Sequence, residues 1–591
     1  MPNRSKSKLS LIGLIVFAAW VMVSLGAIFA MYHLWWTRER VLYIGQSPDL
    51  QRTKVFQIAG LPQVLPDIQK INKSWPLNMQ YALTGSHTDQ SYLIYLLSPR
   101  TPSDEGGASI HIEKHKLRYD AVQIQKMPFS DIRSYPDHPA AKSLIMSLIL
   151  VLGVSFLLEH LRWPNPMHVP ELVALSLLLL SVLVSMSRVI NGSSSPGMWI
   201  MVFLGISGWL IKAPSLSREI KYALPKAALP SIGGQPTFHN GIRLMCAVII
   251  VSGLIWSFLM SFSVVPDDWD AWATWGPKAK YLALGKGPLL NLTYLGMPDY
   301  PLMWPSIWGF SGWMTGGWEE HWSKAWGSVL ALLTAWEIGL SINRQTGLSI
   351  AGWLGAASFI SIPCVPLVAS WAYAESTLWL MLACAFTSLL RWRDNRETVD
   401  LILAGIFSAA ACHAKNEGLF FCLLILLWIA VNGHTKRLKH CAEFFLPVIV
   451  LYGPWFWWVK VKLELVSAVT RNLHFDAEHL NWALSRVPEG MNKVLSIWFD
   501  IKQWNIVLFL IFSAMVYALV KGGLRVRVDW MIPAGLLVGA FILNIFYDGP
   551  VGWMFGANWN RITLQVIPLL LMILFPYLVH QSRSVVITST C

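Results

Sequence analysis

The chain has 591 residues, of which 54% are hydrophobic and only 13% charged, and its formal net charge is +13. Lysine and arginine gather in short loops between apolar runs, so the positive balance reports membrane orientation and excludes nucleic-acid binding as its default cause. The seven cysteines follow no metal-ligand spacing, and all but Cys591 lie in or beside apolar runs, which points to small core hydrophobes rather than disulfides or zinc.

Repeated apolar runs of about 15–22 residues predict an all-α polytopic membrane protein. Residues 1–31 open with Arg4, Lys6 and Lys8, which predict a cytoplasmic N-terminus. The run 9–31 reads as a retained anchor, because no small-x-small cleavage site follows it. Residues 32–141 are the one sizeable soluble stretch. The runs RVLYIG, KVFQIAG, SYLIYLL and YDAVQIQ, with turn-prone segments such as SPRTPSDEGG between them, predict a small α+β or mostly β extracytoplasmic insert. Acceptor binding and a structural or lid role both stay open for it. Residues 142–242 add spans at 143–159, 169–189 and 197–212. The loop 213–242 follows, and its Arg218, Lys221 and Lys226 set it in the cytoplasm.

The span 243–264 then delivers the chain to the outer face at PDDWDAWATWGPKAKYLALGKGPLLNLTYLGMPDYPLMWP, residues 266–305. Asp267, Asp268 and Asp270 stand at that exit, where acids are costly to keep near hydrocarbon and usually bind or react with something. Capping of a helix N-terminus accounts for one or two of them. Trp269, Trp272 and Trp275 follow at helical spacing, suited to an interfacial anchor or to stacking on a sugar ring or prenyl chain. Gly276-Pro277 predicts an interruption before Lys278 and Lys280, with the helix restarting at Pro277.

Tyr300–Gly316 is short and broken by Pro301 and Pro305. Further spans are expected at 322–342, 348–369, 372–390, 400–413, 418–432, 441–459, 503–521, 529–546 and 562–580. If 300–316 re-enters rather than crosses, Arg344, RWRDNR, KRLK and Lys521/Arg525/Arg527 all fall inside, which favours about 14 transmembrane helices with both termini cytoplasmic. The outer loops are then 265–299 and 460–500, and residues 243–591 form one membrane domain.

In that orientation the unusual polar residues share the outer face. Glu375 (in SWAYAEST) opens a span, Lys415 and Glu417 (in CHAKNEGLF) sit at a turn between two short spans, and Arg561 (in ANWNRITLQVIP) opens the last one. Lysine or arginine at a span end can simply snorkel to headgroups, and a lone glutamate can pair locally. Together with the aspartates they read as an outward-facing cavity lined by acids and by cations suited to phosphate.

These motifs in this order resemble the GT-C glycosyltransferase superfamily, polytopic enzymes that use polyprenyl-phosphate sugars and include the protein mannosyltransferase and aminoarabinose transferase branches. The resemblance is carried by the Asp-rich loop with Asp268-Trp269-Asp270, the following helix ending KAKYL, YPLMWP with Tyr300, YAES, the KNEG turn and Arg561 with a proline seven residues on. It covers roughly residues 243–580, and the residues before it match no core pattern of that group.

The resemblance implies an inverting transfer of a hexose or pentose from a polyprenyl-phosphate donor to a glycan, lipid or protein acceptor, at the cell membrane on its extracytoplasmic side. Such a transfer needs a base for the acceptor hydroxyl and positive charge for the departing phosphate. Asp270 aligns best with the family's catalytic carboxylate, Asp268 is second, and Asp267 caps or orients. Lys278, Lys280, Lys415 and Arg561 are candidates for the donor phosphate, with Lys415 alternatively paired to Glu417 or Glu375. The Asp268/Asp270 spacing could also hold Mg2+ or Mn2+ through carboxylate oxygens. The alternative is a transporter or flippase for a lipid-linked sugar, which would show related halves with broken helices; no such repeat is present.

Overall fold

A computed structural model places residues 11–37, 80–84, 101–102, 108–113, 116–121, 141–161, 167–223, 238–263, 266, 268–284, 297–315, 318–432, 436–466, 468–473, 476–521 and 528–588, and the description is confined to these. Eight helices among them are long and apolar enough to cross a membrane: Ile15–His33, Ala141–His160, Val169–Asn191, Ser195–Ala213, His239–Ser263, Ser323–Thr346, Arg437–Lys462 and Val551–Gln581. A ninth arises if the pair Ser349–Ile360 and Cys364–Ser370, bent by 63°, counts as one span. Four shorter apolar helices, Thr398–Ala414, Glu417–Asn432, Val507–Ala518 and Met531–Phe546, stand where further spans are expected. The chain is thus a multi-pass helical membrane protein.

The helix Glu375–Asn395 is not among the apolar spans, and its place in the bundle explains why. Every side chain from Glu375 to Trp392 is buried, because the helices Trp326–Thr346, Thr398–Ala414 and Val551–Thr588 pack around it. A helix enclosed by protein meets no lipid, so it can carry charge at both ends if each charge is paired. At one end Arg391 bonds Glu171 at 2.6 Å and Asp400 at 2.8 Å, which ties in the helices Val169–Asn191 and Thr398–Ala414. Glu375 marks the other end, roughly 24 Å away at 1.5 Å per residue.

The helix Met303–Met314 has 12 residues, about 18 Å of rise, and is too short for a hydrocarbon core of about 30 Å. It lies buried against the helices Ala141–His160, Val169–Asn191 and Gly276–Leu284. Trp304 donates its indole N–H to the carbonyl of Ala372 at 2.8 Å, fixing this helix beside the loop that leads into Glu375.

Within 32–141 the described strands are Gln80–Thr84, Thr101–Pro102, Ala108–Glu113 and Lys116–Ala121. Gln80–Thr84 pairs in parallel with both Thr101–Pro102 and Ala108–Glu113, and the latter pairs antiparallel with Lys116–Ala121. The runs RVLYIG, KVFQIAG and SYLIYLL lie outside the described residues.

Candidate functional site

The site begins where Asp268 starts a helical turn, its carbonyl accepting from the N–H groups of Ala271 at 3.1 Å and Trp272 at 3.4 Å. Residues Ala271–Trp275 then form a π-helical turn, closed by the N–H of Gly276 on the carbonyl of Ala271. A proline ring inside an α-helix clashes with the carbonyl four residues back. The wide turn gives Pro277 room, so the chain runs on into the helix Gly276–Leu284 without the expected interruption. The tryptophan row is divided by this geometry. Trp272 and Trp275 are buried, and only Trp269 is exposed.

Asp270 leaves this turn toward Arg561, on the helix Val551–Thr588, and the two form a salt bridge. The same guanidinium donates to Asn558 at 2.8 Å, faces Glu375 at 3.5 Å and lies 5.0 Å from the ring centre of Tyr373. Glu375, wholly buried, accepts from Lys415 at 3.1 Å, and Lys415 reaches Glu417 at 2.7 Å. Acids and cations therefore alternate as Asp270, Arg561, Glu375, Lys415, Glu417, with three carboxylates against two cations. Burial opposes a charge on Lys415, yet Glu375 and Glu417 hold its ammonium above the ordinary lysine range.

The turn that presents Lys415 has a local cause. The helix Thr398–Ala414 stops at Lys415, which is fully extended (φ −154°, ψ 157°), and a new helix starts at Glu417. A Cβ on Gly418 would come within 2.3 Å of the Ala411 backbone, so glycine lets the two helices close to contact. Tyr300 completes this side: its ring lies 5.4 Å from that of Trp275 and 5.9 Å from the Lys415 ammonium. Burial and the nearby Glu417 push its phenol up, so it stays a neutral hydroxyl donor.

Lys278 is placed differently. Its buried ammonium donates to the carbonyls of Met297 and Tyr300 at 2.8 Å and of Pro298 at 3.5 Å, holding the 297–300 turn against the helix Gly276–Leu284. Burial pushes it down to about 7, against the opposing pull of Asp299. Lys280 is buried on the same helix. Asp268 is half-buried at the head of the turn, and Asp267 lies outside the described residues.

Among the described residues no group of three or more histidine, cysteine, aspartate or glutamate side chains is placed to hold a metal ion, and Asp270 is committed to Arg561. No step is routed through Mg2+ or Mn2+. Comparison of the chain with protein-family profiles, curated proteins and solved structures found no match.

Three participants are not singled out by the sequence reading. Asp299 is buried and bonds Lys460 at 2.6 Å and Asn416 at 2.9 Å. Asp299 precedes Tyr300 in a noted segment, and Asn416 lies inside the noted turn. Lys460 looks in sequence like any lysine at a span end.

Proposed function

We propose that this protein is an integral-membrane glycosyltransferase of the GT-C kind, moving a sugar from a polyprenyl-phosphate donor to an acceptor at the extracytoplasmic face. The observation that carries the reading is the convergence of Asp270, Arg561, Glu375, Lys415, Glu417 and Tyr300, drawn from five separate segments, into one chain of paired charges. Snorkelling side chains would point apart toward headgroups; these turn inward onto one another. Fourteen spans, an outer α+β or mostly β insert at 32–141 and outer loops at 265–299 and 460–500 belong to the same reading.

In the reaction, the acceptor oxygen attacks the anomeric carbon from the face opposite the phosphate, and the bond from that carbon to the phosphate oxygen breaks. The acceptor proton passes to Asp270, and polyprenyl phosphate leaves with its negative charge facing Arg561 and Lys415. A guanidinium takes phosphate through paired donors, so donor binding exchanges the Asp270 partner of Arg561 for phosphate and leaves the carboxylate facing the acceptor. Tyr300 supplies a neutral hydroxyl beside Lys415.

Purified protein mixed with labelled polyprenyl-phosphate hexose and a panel of glycan and lipid acceptors tests the proposal. Release of polyprenyl phosphate by wild type and its loss in Asp270→Asn are expected. Movement of intact lipid-linked sugar across a vesicle with no release would establish the transporter instead.

A further inference from the structure

We propose that Asp299 is a positioning residue, which through Asn416 holds the Lys415–Glu417 turn in register with Glu375 and Tyr300; its catalytic consequence rests on the transferase reading above. Asp299 is 1% exposed. One oxygen of its carboxylate, Oδ2, accepts both from Asn416 Nδ2 at 2.9 Å and from Lys460 Nζ at 2.6 Å. The backbone on either side of it is anchored the other way, by the Lys278 ammonium on the carbonyls of Met297, Pro298 and Tyr300. Asp299 therefore joins the helix Gly276–Leu284, the 414–417 turn and the Lys460 segment at one point.

Asn416 makes this link matter. It sits between the two residues whose charges meet at 2.7 Å, and Lys415 is aimed at Glu375 at 3.1 Å from the same turn. Lys415 closes one helix through its N–H on the carbonyl of Ala411 at 3.0 Å, its own carbonyl accepts from Gly418 at 3.0 Å, and the side chain of Asn416 between them ties the turn to Asp299 in the 297–300 loop. Losing it lets the Lys415 ammonium drift from the path of the leaving phosphate.

The carboxylate also allows charge to be separated from hydrogen bonding. Its Oδ1 has no hydrogen-bond partner among the described residues. An asparagine at 299 can keep both bonds on its carbonyl oxygen and put its amide nitrogen at the idle position. Asp299→Asn thus removes charge and keeps geometry, whereas Asp299→Ala removes both.

The test uses the full chain in lipid nanodiscs, reading donor turnover and amide hydrogen exchange over residues 414–418. Asp299→Ala and Asn416→Ala are each expected to lower kcat about 10²-fold, the scale of a small misplacement of a reacting group. Exchange over 414–418 should quicken in both, and the double variant should be no worse than either single one. Asp299→Asn should retain more activity and slower exchange than Asp299→Ala. Wild-type turnover and exchange in Asn416→Ala, or losses that multiply in the double variant, would overturn the proposal. Asn416→Ala leaves every buried charge in place, so it decides the matter even where Asp299→Ala fails to fold. If wild type releases no polyprenyl phosphate but exchange quickens in both variants, the transferase reading falls and the positioning link stands.

Discussion

Asp270 and Arg561, 291 positions apart in the chain, meet as a salt bridge. The proposed base and the proposed phosphate ligand thus neutralise one another, and the proposed reaction requires the donor to separate them. Asp270→Asn keeps size and part of the hydrogen bonding but takes no proton at neutral pH. Turnover should fall about 10²–10⁴-fold, the usual contribution of a general base. Donor KM should stay level or drop, because the phosphate no longer competes with a carboxylate for Arg561. Steady-state kinetics with saturating acceptor would show this, and a kcat close to wild type would remove Asp270 from the chemistry.

Arg561→Ala leaves Glu375, wholly buried, with Lys415 as its one remaining cation among the described residues. Removing one member of a buried charged group costs about 3–5 kcal/mol, so the thermal midpoint in detergent should drop sharply. Arg561→Lys should recover part of the stability but less of the donor affinity, since an ammonium lacks the planar fork. Equal midpoints for Arg561→Ala and wild type would mean that the pairing contributes nothing to the fold.

Lys278 gives stability a pH dependence of predictable sign. Its folded value is pushed down to about 7 from 10.5 by burial. Between those values the unfolded chain binds the additional proton, so stability rises with pH across this window. Melting curves of wild type should shift upward from about pH 7 toward pH 10.5, and those of Lys278→Met should lose this component. An unchanged pH slope in Lys278→Met would assign the effect to other groups.

Orientation can be read with two single cysteines. Ser485 lies exposed on the helix Ala477–Trp498, which packs on Val551–Thr588, the helix that carries Arg561. Glu397, also exposed, follows the opposite end of the helix that starts at Glu375. An impermeant thiol reagent applied to intact cells should modify Ser485→Cys and spare Glu397→Cys. The reverse pattern would invert the topology and put the charged site in the cytoplasm.

The sequence by itself determined the membrane class, the position of most helices, and the presence of Asp270, Glu375, Lys415, Glu417 and Arg561 as polar residues beside apolar runs. Apolar runs and charged loops report how each segment partitions between lipid and water, and that is a local property of composition. An acid or a cation beside an apolar run is equally visible without a fold. Pairing is not local. That Arg561 serves Asp270 and Glu375, that Lys415 bridges Glu375 and Glu417, and that Lys278 is taken up by three backbone carbonyls were decided only by which helices pack together. Lys460 shows the limit most plainly: only the 2.6 Å contact with Asp299, 161 positions away, separates it from an ordinary lysine at a span end. The same holds for Pro277: the π-helical turn Ala271–Trp275, which passes directly into the helix Gly276–Leu284 and makes room for the proline ring, is a feature of the packed backbone and not of the local sequence. Partition is written residue by residue, whereas charge pairing depends on distances that only the packed bundle sets.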